Sequence, residues 1–288
     1  MHAGKEAGRA TNDHPRRSVI SLSFVCLLIV LSRLDSDTPL LMAANRDERL
    51  DRDAVVATVL VPDGPRVLGG RDGLAGGTWL AVNEYGLVVG LTNRPSPGGR
   101  DPAKRSRGEL PLALAQHKDA TSAVEEFAVR FRADDYNPAW LLVGDRRSLF
   151  YLEMGGQGAP EVQRLPPGLF VLANGPLGEA SPKTDHVRRR LETIADLAEA
   201  DRIHLLESVL SDHSIPPGAE ALVTETRPIQ LSAACVHTEG YGTRSAALVR
   251  VPAQGLPRVA VVDGPPCRAP FTAIDELWSI DVVPVPEG

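Results

Sequence analysis

Cysteine is scarce in this sequence of 288 residues. The three cysteines, Cys26, Cys235 and Cys267, are widely spaced and odd in number, which excludes a disulfide framework. The sequence has no C-x-x-C pair, and its histidines and cysteines lack the spacing that is typical of a structural zinc site. These absences predict a reduced, cytoplasmic protein with free thiols.

Positive charge and long apolar runs are also lacking. The net charge of −6 excludes the electrostatic footprint of a nucleic-acid-binding protein. The arginine-rich stretches 104–109 and 186–192 are flanked by acids, so we interpret them as solvated faces. The apolar stretch 18–31 is shorter than the roughly 18–20 residues of a bilayer span, so no stable membrane span is expected.

The first 24 residues differ in composition from the rest of the chain. Residues 1–17 are polar and rich in small residues, which predicts disorder. A pair of arginines followed by an apolar run leaves an alternative, an export signal within residues 1–34. Residues 25–288 contain no repeat and no long linker, and they are predicted to form a single domain.

Hydrophobic periodicity predicts an α+β domain. Alternating apolar residues indicate hairpins at 78–93 and 140–153. Helical periodicity occurs at 121–133, 184–198 and 200–212. This content favours helices packed against antiparallel sheets.

A polar tetrapeptide, Asn45–Glu48, ends one predicted strand. Strand alternation places Asn45 and Asp47 on one face and Arg46 and Glu48 on the other. Two interpretations stay open. The strand end is solvated, as charged residues usually are, or one pair points into a site while the other forms an ion pair behind it.

Glycines and asparagines supply further candidates. The glycine-rich segment 69–83 lacks the lysine and helix of a P-loop, so its glycines indicate tight turns and close backbone approach. Asn93 and Asn174 each end a predicted strand before a turn. A carboxamide there can donate to an oxyanion, or it can simply form an Asx turn.

Seven segments, taken in order, resemble the NRDE family, also called the Transport and Golgi organisation protein 2 family. They are CLLIVL, PLLMAANRDERLDR, GGRDGLAGGTWLAVNEYGLVVGLTN, SRGELP, LLVGD, VLANGPLGEASPKTDHVRRRL and TEGYGTRSAALV. The resemblance covers about residues 25–288. Members typically begin Met-Cys, so Cys26 occupies the family position if translation starts at Val25. Residues 1–24 are then a mis-annotated extension.

The family is similar to N-terminal nucleophile (Ntn) hydrolases of the choloylglycine hydrolase and penicillin acylase type. This resemblance implies a four-layer αββα sandwich of two antiparallel sheets. It also implies a nucleophile at Cys26, an aspartate at Asp47 and oxyanion asparagines at Asn93 and Asn174. The arginine of the pattern is replaced by Ala44, and Arg46 is its possible substitute. The candidates for the remaining basic residue are Lys183, Arg188 and Arg244.

Three hypotheses follow. The first is a hydrolase or acyltransferase that attacks an amide or thioester through Cys26, with a free α-amine as base, a depressed thiol pKa and no cofactor. The second is a non-catalytic protein that binds or traffics haem, acyl-CoA or lipid on the same fold. Its axial haem ligand would be His237, His186 or Cys26. The third is a structural domain with an inert Cys26.

Overall fold

The computed structural model describes residues 26–96, 98–173, 175–225 and 227–280. Thirteen strands dominate this part of the chain. In chain order they are β1 (Leu27–Ser32), β2 (Leu40–Arg49), β3 (Ala54–Val61), β4 (Val67–Asp72), β5 (Leu80–Asn83), β6 (Val88–Asn93), β7 (Ala139–Gly144), β8 (Leu149–Met154), β9 (Glu161–Leu165), β10 (Gly168–Leu172), β11 (Tyr241–Val251), β12 (Arg258–Asp263) and β13 (Thr272–Ala273).

The strands form two antiparallel sheets. One has six strands in the order β10-β1-β2-β11-β12-β13. The other has seven strands in sequence order from β3 to β9, so each strand pairs with the next one along the chain. The six-stranded sheet therefore needs long connections, while the seven-stranded sheet is a meander.

Helices cover the outer face of each sheet. They are α1 (Glu109–Leu114), α2 (Ala120–Arg130), α3 (Pro182–Arg190) and α4 (Glu199–Leu210). One apolar cluster joins α1 and α2 to the seven-stranded sheet, a second joins α3 and α4 to the six-stranded sheet, and a third lies between the sheets. The layers are thus α, β, β and α, and the expected four-layer sandwich is confirmed.

The two central strands are apolar on both sides because both of their faces are covered. In β1, Leu28 and Val30 face the other sheet, whereas Leu27 and Ile29 face the helices. All six β1 residues are buried. Burial on both faces removes the usual alternation of apolar and polar residues and gives the continuous run LLIVLS.

Close contact between the sheets fixes which strand ends coincide. A Cβ added to Gly90 of β6 would lie 2.9 Å from the Leu28 side chain, and one added to Gly144 would lie 3.2 Å from Leu40. Gly144 pairs with Val88, and Leu40 pairs with Ser32. The start of β6 therefore faces the end of β1, and the Asn93 end of β6 points toward Cys26.

Sequence periodicity located most but not all elements. The hairpins at 78–93 and 140–153 are confirmed as β5–β6 and β7–β8, and the helices near 121, 184 and 200 are present as α2, α3 and α4. The helix expected at 184–198 ends at Arg190 and is followed by a short 3-10 helix. In the ranges described, no helix combines the length and the apolar content needed to cross a bilayer.

Candidate active site

Cys26 lies immediately before β1, at an end of the sandwich. It is 8% exposed and free. Leu27 pairs with Asn45 of β2, so Cys26 lies level with Arg46 on the neighbouring strand. The cysteine thus meets the polar tetrapeptide of β2, which is continuous with the strand and not its end, since β2 runs on to Arg49.

Asp47 is buried beside this cysteine and is held by two neighbours. The hydroxyl of Thr243, on β11, donates a hydrogen bond of 2.5 Å to Oδ1. Nζ of Lys183, in the first turn of α3, lies 3.7 Å from Oδ2. Both the carboxylate and the ammonium are almost fully excluded from solvent. Within the ranges described, neither Asp47 Oδ2 nor Lys183 Nζ has a hydrogen-bond partner.

Burial dominates the electrostatics of this pair. It raises the pKa of Asp47 to about 6, although Lys183 and Thr243 oppose the shift. It also lowers the pKa of Lys183, against the charge of Asp47. Both shifts favour the uncharged forms, as desolvation does. Asp47 and Lys183 therefore form a buried ion pair whose desolvation is only partly compensated, with Oδ2 and Nζ lacking hydrogen-bond partners among the described residues.

The Cys26 thiol is not activated in the chain as it stands. Burial and the charge of Asp47 raise its pKa to about 12, and the Asp47 backbone N–H and Arg46 offset this only in part. This value applies to a chain with residues before Cys26, and the depressed thiol pKa expected with a free α-amine stays a prediction. A thiol with such a pKa needs an adjacent base before it can attack.

The opposite face of β2 carries a second charged group. The Arg46 guanidinium stacks over Trp79 at 4.3 Å and lies 3.5 Å from Asp72 and 3.8 Å from Glu48. On the other face, Asn45 donates to two backbone carbonyls near α4. The predicted alternation of faces is confirmed. The solvated interpretation is wrong, because all four residues of the tetrapeptide are buried.

The structure describes one of the two candidate asparagines, Asn93. Asn93 is half-buried at the last position of β6, paired with Ala139. Asn174 lies outside the described residues.

Of the three candidate basic residues, Lys183 alone reaches Asp47 in the part of the chain that the structure describes. A register shift between Thr243 and Ser245 turns Arg244 outward, where it donates to the carbonyl of Leu50. Arg188 is half-buried on α3. Arg46 does not contact Asp47 directly in place of the missing arginine. It forms ion pairs with Glu48 and Asp72 on the other face of β2.

Sequence analysis missed Arg107. The sequence indicates a solvated stretch here, but Arg107 is half-buried and lies within electrostatic range of Cys26. Nη1 donates to the carbonyl of Pro138 at 3.0 Å. Burial and Arg100 lower the pKa of Arg107 to about 10. The hydrogen-bond acceptor that the structure describes for Arg107 is therefore a neutral carbonyl.

The proposed haem ligands are not grouped around Cys26. His186 is hydrogen-bonded to Asp212 at 2.8 Å. His237 lies against two cysteines, Cys235 and Cys267. Haem binding through either histidine stays a prediction.

Comparison with known proteins assigns the chain to a family. The family described as Transport and Golgi organisation 2 matches residues 25–263. The chain belongs to this family.

Relatives of the Transport and Golgi organisation 2 family occur in mammals. A Mus musculus homologue is 28% identical over 236 residues, and a Bos taurus homologue is 31% identical over 233 residues. Each alignment covers 75% of this chain and 83% of the relative. The residues matched by the family, 25–263, contain strands β1 to β12.

Solved structures share the architecture at low identity. The chain resembles a Caenorhabditis elegans N-acylethanolamine-hydrolyzing acid amidase ortholog, with TM-score 0.50, 13% identity, and coverage of 77% of this chain and 92% of that one. It also resembles penicillin V acylase from Agrobacterium tumefaciens, with TM-score 0.50, 13% identity and coverages of 81% and 82%. A variant of conjugated bile acid hydrolase from Clostridium perfringens gives TM-score 0.51, 13% identity and coverages of 87% and 92%. The fold of this family member is therefore Ntn-hydrolase-like.

Proposed function

We propose that this member of the family is an N-terminal-cysteine nucleophile hydrolase or acyltransferase acting on an amide or thioester. The supporting observation is the incomplete charge pair beside Cys26, where Asp47 Oδ2 and Lys183 Nζ lack hydrogen-bond partners among the described residues. An α-amine on Cys26 would supply the missing donor to the carboxylate. The activity therefore belongs to a chain whose first residue is Cys26.

The amine is the natural base for this thiol. A free α-amine has a pKa of about 7.7–8.0, so it can accept the thiol proton near neutral pH. It belongs to the same residue as the sulfur, which fixes base and nucleophile at short range. An amide nitrogen, as in the uncleaved chain, cannot accept that proton, and the thiol pKa of about 12 then keeps the sulfur protonated.

In the proposed reaction the thiolate of Cys26 attacks the substrate carbonyl carbon and forms a tetrahedral oxyanion. The ammonium returns its proton to the leaving amine or thiol, and an acyl-thioester on Cys26 remains. Water, deprotonated by the same amine, then releases the acid; an acceptor nucleophile in place of water gives acyl transfer. Asp47, fixed by Lys183 and Thr243, orients the amine through both steps.

The developing oxyanion needs donors at the mouth of the site. Asn93, half-buried at the end of β6 that points toward Cys26, would supply one such donor through its carboxamide. The family resemblance adds Asn174. A preorganised donor of this kind contributes roughly 2.7–4 kcal/mol to transition-state stabilisation.

Arg107 favours an anionic substrate. Its guanidinium lies within electrostatic range of Cys26 and donates to the neutral carbonyl of Pro138. A half-buried guanidinium attracts a carboxylate or phosphate through charge-assisted hydrogen bonds. We therefore expect acyl compounds that carry such a group to be preferred.

The test compares three proteins: a chain released by fusion cleavage so that it begins at Cys26, the same chain with Cys26→Ser, and the chain of residues 1–288. Each is assayed against a panel of acyl-amides and acyl-thioesters. We expect turnover only in the first. Absence of turnover there, with a melting-temperature shift on adding haem or acyl-CoA, would support the binding alternative instead.

A further inference from the structure

Two cysteines and two histidines form a cluster next to the segment that supports Asp47. Cys235 and His237 precede β11, Cys267 follows β12, and His213 follows α4. These residues lack the sequence spacing of a structural zinc site, but the fold brings their distant segments together.

Three of the four ligand atoms already have the spacing of a tetrahedral zinc site. With Zn–S bonds of about 2.3 Å and Zn–N bonds of about 2.0–2.1 Å, tetrahedral geometry separates two sulfurs by roughly 3.8 Å and a sulfur from a nitrogen by roughly 3.5 Å. The two sulfurs of Cys235 and Cys267 are 3.8 Å apart. Nε2 of His237 is 3.5 Å from Cys235 Sγ and 3.2 Å from Cys267 Sγ.

His213 is the fourth candidate ligand. One of its ring nitrogens lies within 4.8 Å of the ligand atoms of His237 and Cys267. The two imidazole rings meet edge to face, with centroids 5.9 Å apart. Tetrahedral ligation requires two nitrogens roughly 3.3 Å apart. An exposed side chain such as His213 can cover the difference by a rotation.

We propose that Cys235, His237, Cys267 and His213 bind one zinc ion, or a similar soft divalent ion. Binding forms two metal–sulfur and two metal–nitrogen bonds and releases the two thiol protons to solvent. Two thiolates neutralise the ion, so the neighbouring Arg268 does not oppose binding. His237 and Arg268 line an open cavity of about 310 Å³, which provides a path for the ion to enter.

The proposed ion has a structural role. The backbone N–H of Val236, between two of the ligands, donates to Thr243 Oγ1, and that hydroxyl donates to Asp47. The N–H of Cys235 donates to the carbonyl of Asp212, next to His213. Bound metal would thus fix the segment that supports Asp47. The site itself does not depend on the proposed hydrolysis.

The test uses the reduced full chain and two probes, zinc and cobalt. We expect one equivalent of zinc after loading and removal of excess, and a near-ultraviolet thiolate-to-cobalt charge-transfer band with cobalt. Zinc should also slow the alkylation of Cys235 and Cys267 under native conditions, measured by peptide mass mapping. These measurements need no variant and stand even if a ligand substitution prevents folding.

Two variants sharpen the result. Cys267→Ala should weaken zinc binding by at least about 100-fold, since even outer-shell changes alter metal affinity by about 10–100-fold. Cys26→Ala is the matched control and should bind zinc as the wild-type chain does. The inference is overturned if the wild-type chain shows no cobalt–thiolate band, or if Cys267→Ala binds zinc as tightly as Cys26→Ala.

Discussion

At the scale of single residues, the main feature of the candidate site is the buried ion pair between Asp47 and Lys183. Replacing Lys183 with methionine keeps the volume but leaves Asp47 unpaired, and breaking a buried ion pair costs about 3–5 kcal/mol. We expect a loss of this size in the free energy of unfolding at pH 8, measured by urea denaturation. Because burial raises the pKa of Asp47, its protonated form is favoured in the folded state.

That raised pKa fixes the sign of the pH dependence. Between the unfolded pKa of about 3.9 and the folded value, the native state of the Lys183→Met variant binds more protons than the unfolded state, so stability rises as pH falls. The loss relative to wild type should therefore shrink at pH 5. Arg189→Met, at an exposed position of the same helix, is the control and should change little. An equal loss at both pH values would refute the assignment.

Arg107 gives a prediction about substrate charge. In the chain that begins at Cys26, Arg107→Ala should raise KM about 10-fold for an anionic acyl substrate, because a charge-assisted hydrogen bond is lost. A neutral substrate of equal length should be affected little. Steady-state kinetics on the matched pair decides the point, and an equal effect on both substrates would show that Arg107 acts only on packing.

The residues that sequence could assign are those whose partners follow from strand geometry. Alternation alone separated Asn45 and Asp47 from Arg46 and Glu48. Arg107 could not be assigned, since its proximity to Cys26 depends on how a loop crosses the end of the sandwich. The same holds for Cys235 and Cys267, which are joined only by tertiary structure.

At the scale of elements, the glycines of β4 allow close packing. A Cβ on Gly70 would lie 2.2 Å from the Trp79 ring, over which Arg46 stacks. Gly70→Ala should displace that ring and destabilise the protein by about 1–3 kcal/mol, as overpacking does. Thermal unfolding measures the loss. Gly156→Ala is the control, because its Cβ would meet nothing within 4 Å.

The turn between β1 and β2 is tied to α4 through Asp35. Its carboxylate accepts hydrogen bonds from the backbone of Thr38 and Asp37 and from buried Arg202, at 2.6 Å. The bonds from Thr38 and Asp37, together with Arg202, hold the pKa of Asp35 below its usual range. Asp35→Ala should destabilise the protein by about 1–2 kcal/mol at pH 7.

The sign of this second pH effect is the opposite of the first. A depressed folded pKa contributes stability that is present above the unfolded value of about 3.9 and is lost as pH falls below it. The difference between Asp35→Ala and wild type in urea should therefore narrow from pH 7 to pH 3. Asp37→Ala, at the exposed neighbour, is the control. A difference that stays constant over this range would contradict the account.

Elements with strong periodicity were predictable, and those without it were not. β9 has the sequence EVQRL with four of five residues exposed, so it lacks an apolar face. β3 is only partly buried along its length, and α1 is six residues long and contains Pro111. Their pairing to neighbouring elements, not their own pattern, places them in the fold.

At the scale of the whole molecule, the architecture persists at 13% identity to the solved acylases. Two sheets packed face to face bury the start of β1 at one end, together with the ends of β2 and β6. Conserving this arrangement requires only apolar strands in the right order. The fold could therefore be predicted from the ordered motifs, whereas the first residue of the mature chain could not, because packing does not determine it.

The most direct test of the central claim is the pH dependence of Cys26 alkylation, measured by peptide mass mapping that separates the three cysteines. In the chain of residues 1–288 the rate should rise only toward pH 12. In the chain that begins at Cys26 it should titrate near the α-amine, at about pH 7.7–8.0 or below. Identical high-pH profiles in the two chains would contradict the claim that the amine of Cys26 activates its own thiol.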